Sequence, residues 1–154
     1  LDSSLSIKEM HNIHKSAIVL HSSKKMFQLV DSVENYPHFL PWCGSTQILE
    51  RDNSKTIASI EINYKGIRQT FTTENTKKQN KEMMIKLIDG PFQSLSGQWI
   101  FKNLDNNSCQ IELKLEYQFS NIILEKLISP VFNMIANTFI DEFIKEANKS
   151  NNDQ

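Results

Sequence analysis

The alternation of apolar and polar side chains along the middle of this chain is the feature that most constrains its fold. It is clearest at 110–119, where every second residue is apolar and the residues between are charged or carry amides. Successive side chains of a strand point to opposite faces, so this pattern indicates a sheet with one buried face and one wet face. The segments 46–51, 56–65, 67–74, 83–87 and 95–101 are predicted to be further strands. Short polar turns between strands predict an antiparallel meander, which a β-branched strand at 15–21 precedes.

The spacing of apolar residues becomes helical after residue 120. Pro130 is expected to kink or restart the helix after a short apolar segment at 121–129, because proline lacks an amide donor. From 131 to 148 a helix would run about 27 Å, long enough to cross a sheet. Its apolar stripe consists of Val131, Met134, Ile135, Phe139, Ile140, Phe143 and Ala147. These patterns predict an α+β fold in which a curved antiparallel sheet wraps around one long C-terminal helix.

The N-terminal part of the chain predicts two short helices. Ser22 or Ser23 can cap a helix that runs to Val33, since a serine oxygen accepts an amide of the first turn. The next stretch, 33–43, reads V-E-N-Y-P-H-F-L-P-W-C, and its two prolines permit only a short second helix. So rigid and aromatic a segment either plugs the core or forms the rim of a lipid-binding cavity, and both interpretations stay open here.

Composition narrows the class of protein. At 154 residues the chain is the size of one domain, which we place at 10–149, with a tag or disordered extension at 1–9 and a frayed tail at 150–154. The formal charge of −1 argues against binding DNA by bulk electrostatics. Two cysteines suggest neither a disulfide framework nor a zinc site, and no apolar run approaches a membrane span. The simplest location is the cytoplasm, with peripheral contact to the inner membrane as the alternative.

The residue types needed for catalysis do not form a recognisable set. The four histidines lie in the first quarter of the chain without a nucleophile motif, so we predict no catalytic residue. His11 and His14 fall in a segment expected to be loose, so we predict no metal site. His38 is expected to be exposed and Cys43 to be a small buried hydrophobe. Four polar side chains could instead converge in a cavity and support an enzyme: Tyr64, Gln69, Thr73 and Tyr117.

One long motif resembles a known family. The segment 26–43 reads M-F-x-L-V-x-x-V-x-x-Y-P-x-F-L-P-W-C, and it is followed by F-T-T at 71–73, D-G-P-F at 89–92 and L-x-G-x-W-x-F at 95–101. This series is similar to the coenzyme Q-binding START-like family of the polyketide cyclase/START superfamily, which includes ribosome-association toxins of the RatA type. The resemblance implies the START-like helix-grip fold. Glu146 departs from it, since relatives often carry arginine there.

The resemblance implies a non-catalytic binding protein with two possible functions, and other members of the fold leave a third possibility, an enzyme, open. The first is binding of ubiquinone or another isoprenoid quinone or lipid in support of respiratory electron transport, with no cofactor required. The second is a toxin that binds the large ribosomal subunit and blocks its association with the small one, and the third is an aromatase/cyclase-like enzyme. The residues predicted to line the ligand cavity are Phe39, Leu40, Trp42, Phe71, Ile85, Leu87, Phe92, Leu95, Trp99, Phe101, Leu113, Leu115, Tyr117, Phe132, Ile135 and Phe139. Lys77, Lys78 and Lys81 lie on a predicted polar connector at 75–81, which is either a solvated loop or a contact for an anionic partner.

Overall fold

The computed structural model describes residues 9–151, and the side chains of residues 9–149. Within that part of the chain a first strand and two short helices precede six strands and a long helix. The helices are α1 (Ser23–Asp31), α2 (Tyr36–Phe39) and α3 (Ile122–Asn151), with a 3₁₀ turn (Val33–Asn35) before α2. The strands are β1 (Met10–Val19), β2 (Cys43–Arg51), β3 (Lys55–Tyr64), β4 (Ile67–Lys78), β5 (Glu82–Asp89), β6 (Phe92–Asp105) and β7 (Ser108–Phe119).

The strands form one antiparallel sheet, as the alternation predicts. In the described part of the chain its order is β1-β7-β6-β5-β4-β3-β2, so the six later strands form a meander and β1 pairs with the last of them. From Ile111 to Phe119, each apolar residue of β7 lies opposite an inner-face residue of β6, for example Leu113 opposite Trp99 and Ile111 opposite Phe101. The sheet curves around α3 with this apolar face inward, which confirms the predicted helix-grip architecture.

Two segments extend further as strands than the sequence indicates. β1 begins at Met10, so His11 and His14 lie in a strand paired with β7 and not in a loose segment. β4 continues to Lys78, and residues 75–78 pair with β5 in what the sequence predicts to be a connector. The sequence does not reveal either extension because the added residues are mostly polar. A strand at the edge of a sheet, or one with a wet face, need not contain many apolar residues. The predicted extension and tail fall largely outside the described residues, although α3 reaches Asn151.

The C-terminal helix is continuous through Pro130, where a kink or restart was expected. Pro130 is exposed, while Ile128 and Phe132 on either side of it are buried against the sheet. Burial of this apolar face offsets the hydrogen bond that proline cannot donate. Residues 122–149 are also long and apolar enough, by length and composition alone, to span a membrane. About a third of its most apolar 18-residue window is buried within the protein.

Gly97 allows β6 to approach β7 closely. A Cβ atom at this position would lie 2.7 Å from the backbone oxygen of Lys114 and 2.6 Å from the Cδ2 atom of Leu115. Both neighbours belong to β7, so the glycine makes room for the adjacent strand. A backbone oxygen cannot move aside without disturbing the ladder.

Replacing Gly97 with alanine is therefore expected to lower the free energy of unfolding by about 1–3 kcal/mol, through overpacking against β7. The matched control is Ser96→Ala, an exposed position in the same strand, where a change within about 0.5 kcal/mol is expected. Chemical denaturation of the two variants measures the difference. A Gly97→Ala variant as stable as the control would show that the strands tolerate a wider spacing here.

Candidate functional site

A small apolar cavity lies between the concave face of the sheet and α3. Its volume is about 70 Å³, room for roughly five water molecules. The sheet, the 3₁₀ turn, the segment after α2 and the middle of α3 all contribute to its wall. Nine residues that the sequence predicted as cavity lining do line it: Trp42, Phe71, Ile85, Leu95, Trp99, Leu115, Phe132, Ile135 and Phe139.

The other seven predicted lining residues pack outside this cavity. Phe39 and Leu40 belong to the aromatic segment that covers the end of α3, where Phe39 contacts the ring of Phe143 at 5.4 Å. Phe92 and Tyr117 form a cluster with Phe119 next to the start of α3. Of the remaining three, Phe101 and Leu113 are buried in the core and Leu87 is partly buried against it.

Sequence reasoning missed nine of the residues that line the cavity. Ala58 and Ile60 fall in the predicted strand at 56–65 but were not assigned to the cavity, and Asn75 was placed in a connector. Small residues and polar residues give no pattern that marks a cavity wall. The full set of missed residues is Val30, Val33, Tyr36, Ala58, Ile60, Asn75, Met83 and Ala136, together with Thr73, which was considered only for an enzyme.

Few polar atoms reach the cavity, and most of them are already hydrogen-bonded. The Thr73 hydroxyl donates to the Asn75 side-chain oxygen at 3.1 Å, and the Tyr36 hydroxyl donates to the backbone oxygen of Val30. Trp42 is 3% exposed, and its indole Nε1 has no hydrogen-bond partner among the described residues. A buried donor without a partner costs about 1–3 kcal/mol, so the indole could donate to the oxygen of a ligand.

The four polar residues considered for catalysis do not converge. Thr73 alone lines the cavity, whereas Tyr117 donates its hydroxyl proton to Asn133 and Tyr64 lies at the turn between β3 and β4. Burial raises the pKa of Tyr117, which keeps its hydroxyl protonated. Burial also raises the pKa of the Cys43 thiol to about 11, as expected for a buried hydrophobe and not for a nucleophile. His38 is exposed, as predicted.

His11 connects β1 to the first turn of α3. Its Nε2 atom lies 3.0 and 3.1 Å from the two carboxylate oxygens of Glu125, and its ring stacks on Tyr117 at 5.0 Å. Glu9 approaches the other ring nitrogen, so these three residues offer donor atoms within 4.8 Å of one another. A metal ion could use that spacing, but the hydrogen bonds and the stacking already account for the group as a structural contact.

The three predicted anion-binding lysines have different environments. The side chain of Lys77 is 2% exposed, and its Nζ atom lies 3.2 Å from Asp31 of α1, so it cannot form part of a solvated loop. Lys78 is exposed and pairs with Glu82 at 3.4 Å. Of the three lysines, Lys81 alone is both exposed and without an ion-pair partner in the described chain. Alternation along β4 explains the difference, because Lys77 points inward and its neighbours point outward.

Asp31→Ala is expected to destabilise the protein by about 3 kcal/mol or more, because it leaves the Lys77 ammonium buried without a counter-charge. The matched control is Lys78→Ala, which removes an exposed pair worth at most about 1 kcal/mol. Urea denaturation near neutral pH measures both. Equal destabilisation of the two variants would mean that Lys77 reaches water in solution.

Most of the chain matches one family model. The family described as polyketide cyclase/dehydrase and lipid transport matches residues 19–144. The chain belongs to this family. The ribosome association toxin RatA of Vibrio cholerae is 36% identical over 138 residues, which are 90% of this chain and 96% of that protein. The mitochondrial coenzyme Q-binding protein COQ10 homolog B of Xenopus laevis is 22% identical, over 88% of this chain and 57% of that protein.

Solved structures of the superfamily share the fold of this family member. The Zhui aromatase/cyclase from Streptomyces sp. R1128 superposes with a TM-score of 0.75 at 16% identity, over 92% of this chain and 95% of that one. A START superfamily protein from Mycobacterium smegmatis gives a TM-score of 0.70 at 18% identity, over 90% and 98%. These likenesses confirm the START-like helix-grip fold, and at such identities they carry nothing about activity.

Proposed function

We propose that this protein associates with the ribosome as a RatA-type toxin and acts without catalysis. The observation that carries the proposal is the 36% identity to a protein named for ribosome association, across nearly the full length of both chains. The likeness to the coenzyme Q-binding homolog is weaker, at 22%. Following the family resemblance, we propose the large subunit as the partner and the cytoplasm as the location.

The geometry of the cavity supports a function performed at the surface. At about 70 Å³ the cavity is well below the roughly 300–1,000 Å³ of typical ligand pockets. Aromatic rings from α2, α3 and β6 pack around it, with Trp99 and Phe139 at 5.7 Å and Tyr36 and Phe143 at 5.3 Å. A rigid scaffold of this kind presents its turns and exposed side chains to a large partner without needing a bound ligand.

The purified protein is expected to co-sediment with large ribosomal subunits and to reduce the fraction of joined ribosomes in a sucrose gradient. Subunits washed free of other factors provide the binding assay, and the small subunit alone is the control. Equal binding to both subunits, or no binding at low salt, would contradict the proposal.

The second candidate function is binding of a hydrophobic molecule that carries a hydrogen-bond acceptor, such as a quinone. The unpartnered Nε1 of Trp42 favours it, since a ligand oxygen in the cavity would satisfy this buried donor. The rest of the wall is almost entirely apolar, as a prenyl chain requires. The cavity would have to expand to admit such a chain.

Quenching of the fluorescence of Trp42 and Trp99 by a ubiquinone analogue tests this second function, because both indoles line the cavity. Ala136→Leu adds volume inside the cavity and is expected to abolish quenching. Asn137→Leu adds the same side chain at an exposed position one residue away and is expected to leave quenching unchanged. Wild-type protein that is not quenched, or an Ala136→Leu variant quenched as strongly as wild type, would contradict quinone binding.

A further inference from the structure

Two connected grooves lie at the end of the sheet where α1 begins. The larger, of about 590 Å³, runs between the first turn of α1, the β4–β5 turn and the β6–β7 turn. The smaller, of about 320 Å³, continues past His21 toward Gln28. Ser22 and Lys24 line both, so the two form one surface, which we call the basic groove. The remaining residues of the basic groove are Leu20, His21, Ser23, Lys25, Gln28, Gln79, Asn80, Lys81, Phe101, Asn103, Asn106 and Asn107.

The charge of the basic groove is of one sign. Lys24, Lys25 and Lys81 line it, and no aspartate or glutamate is among its described lining residues. None of the three lysines forms an ion pair with a described carboxylate, in contrast to Lys77 and Lys78. The Nζ atom of Lys25 is buried and has no hydrogen-bond partner in the described chain. A buried ammonium without a counter-charge adds to the positive potential of the groove next to it.

The fold holds the lysines in fixed positions relative to one another. The Ser23 hydroxyl donates to the Asn103 side-chain oxygen at 2.9 Å, which joins α1 to β6. The backbone amide of Phe101 donates to the carbonyl oxygen of Lys81 at 2.8 Å, which joins the β4–β5 turn to the same strand. Asp105 is the acidic residue next to the β6–β7 turn. Its carboxylate accepts a hydrogen bond from the backbone amide of Asn107 within that turn.

The other lining residues suit a partner with sugars and bases as well as phosphates. Asparagine and glutamine side chains both donate and accept hydrogen bonds, and six of them line the basic groove with three lysines. Lysines contact phosphates as point charges, while amide side chains can contact ribose hydroxyls and the base edges of unpaired nucleotides. The net charge of −1 means that attraction to RNA arises from this groove and not from the protein as a whole.

We propose that the basic groove binds the phosphate backbone of RNA, with Lys24 and Lys81 as its cationic contacts and the buried ammonium of Lys25 adding to its positive potential. The proposal rests on the proposed ribosome association and names ribosomal RNA as the component recognised. It replaces the sequence-based cluster of Lys77, Lys78 and Lys81. Only Lys81 of that cluster belongs to the groove, and it joins two lysines more than fifty positions away in the sequence.

The test compares a double variant in the basic groove with a matched control. Lys24→Gln with Lys81→Gln removes two positive charges from exposed groove positions, and Lys86→Gln with Lys114→Gln removes two from exposed positions on the convex face of the sheet. Each protein is titrated into a short fluorescent oligouridylate over a range of salt concentrations, and co-sedimentation with large subunits is measured in parallel. Vesicles containing phosphatidylserine test whether the protein binds an anionic membrane instead.

The groove variant is expected to bind the RNA about tenfold or more weakly than the control. The slope of log affinity against log salt is expected to fall by about 0.7 for each phosphate that the variant no longer neutralises. Co-sedimentation by wild type and control but not by the groove variant supports both the groove and the proposed function. Equal binding by both variants overturns the proposal that the groove binds RNA and leaves ribosome association standing. RNA binding that depends on the groove, without binding to the subunit, overturns ribosome association alone. Binding to vesicles but not to RNA, or binding to neither, overturns the proposal that the groove binds RNA.

Discussion

The packing of aromatic rings between the sheet and the C-terminal helix is the interaction on which this structure depends. Trp99 of β6 lies 5.7 Å from Phe139 and 5.6 Å from Phe143, both on α3. Tyr36 and Trp42 reach the same two phenylalanines from the proline-containing segment. Rings of this size bury large apolar areas and favour edge-on contacts, so one cluster fixes the sheet, the long helix and the N-terminal segment relative to one another.

This cluster also limits what the interior can do. It leaves a cavity of about 70 Å³ with one buried donor, the Trp42 indole, that lacks a partner in the described chain. A core packed this tightly resists large changes of volume, so a ligand with a long prenyl chain would have to displace side chains at a cost in stability. Association through the surface needs no such displacement, which agrees with the stronger identity to the ribosome association toxin.

The distribution of lysines shows why exposure must be known before charge is interpreted. Lys77 and Lys81 are four positions apart, yet Lys77 is paired with Asp31 inside the protein and Lys81 lies in the basic groove. A buried ammonium with its own carboxylate attracts nothing outside the protein. An exposed lysine next to others without carboxylates creates a local positive potential even in a nearly neutral chain.

The sequence by itself determined the fold class. Apolar residues at every second position fit only strands with one buried face, and the helical spacing after residue 120 fits only a helix with one buried stripe. The sequence also determined the family, through the motif at 26–43, and nine of the residues around the cavity. Tertiary structure decided the rest. The extension of β4 to Lys78, the continuity of α3 through Pro130 and the neighbours of Gly97 depend on pairing and burial that short-range patterns do not encode. The basic groove exists only because β-strand turns and the start of α1 meet at one end of the sheet, which brings together charges that are distant in the chain.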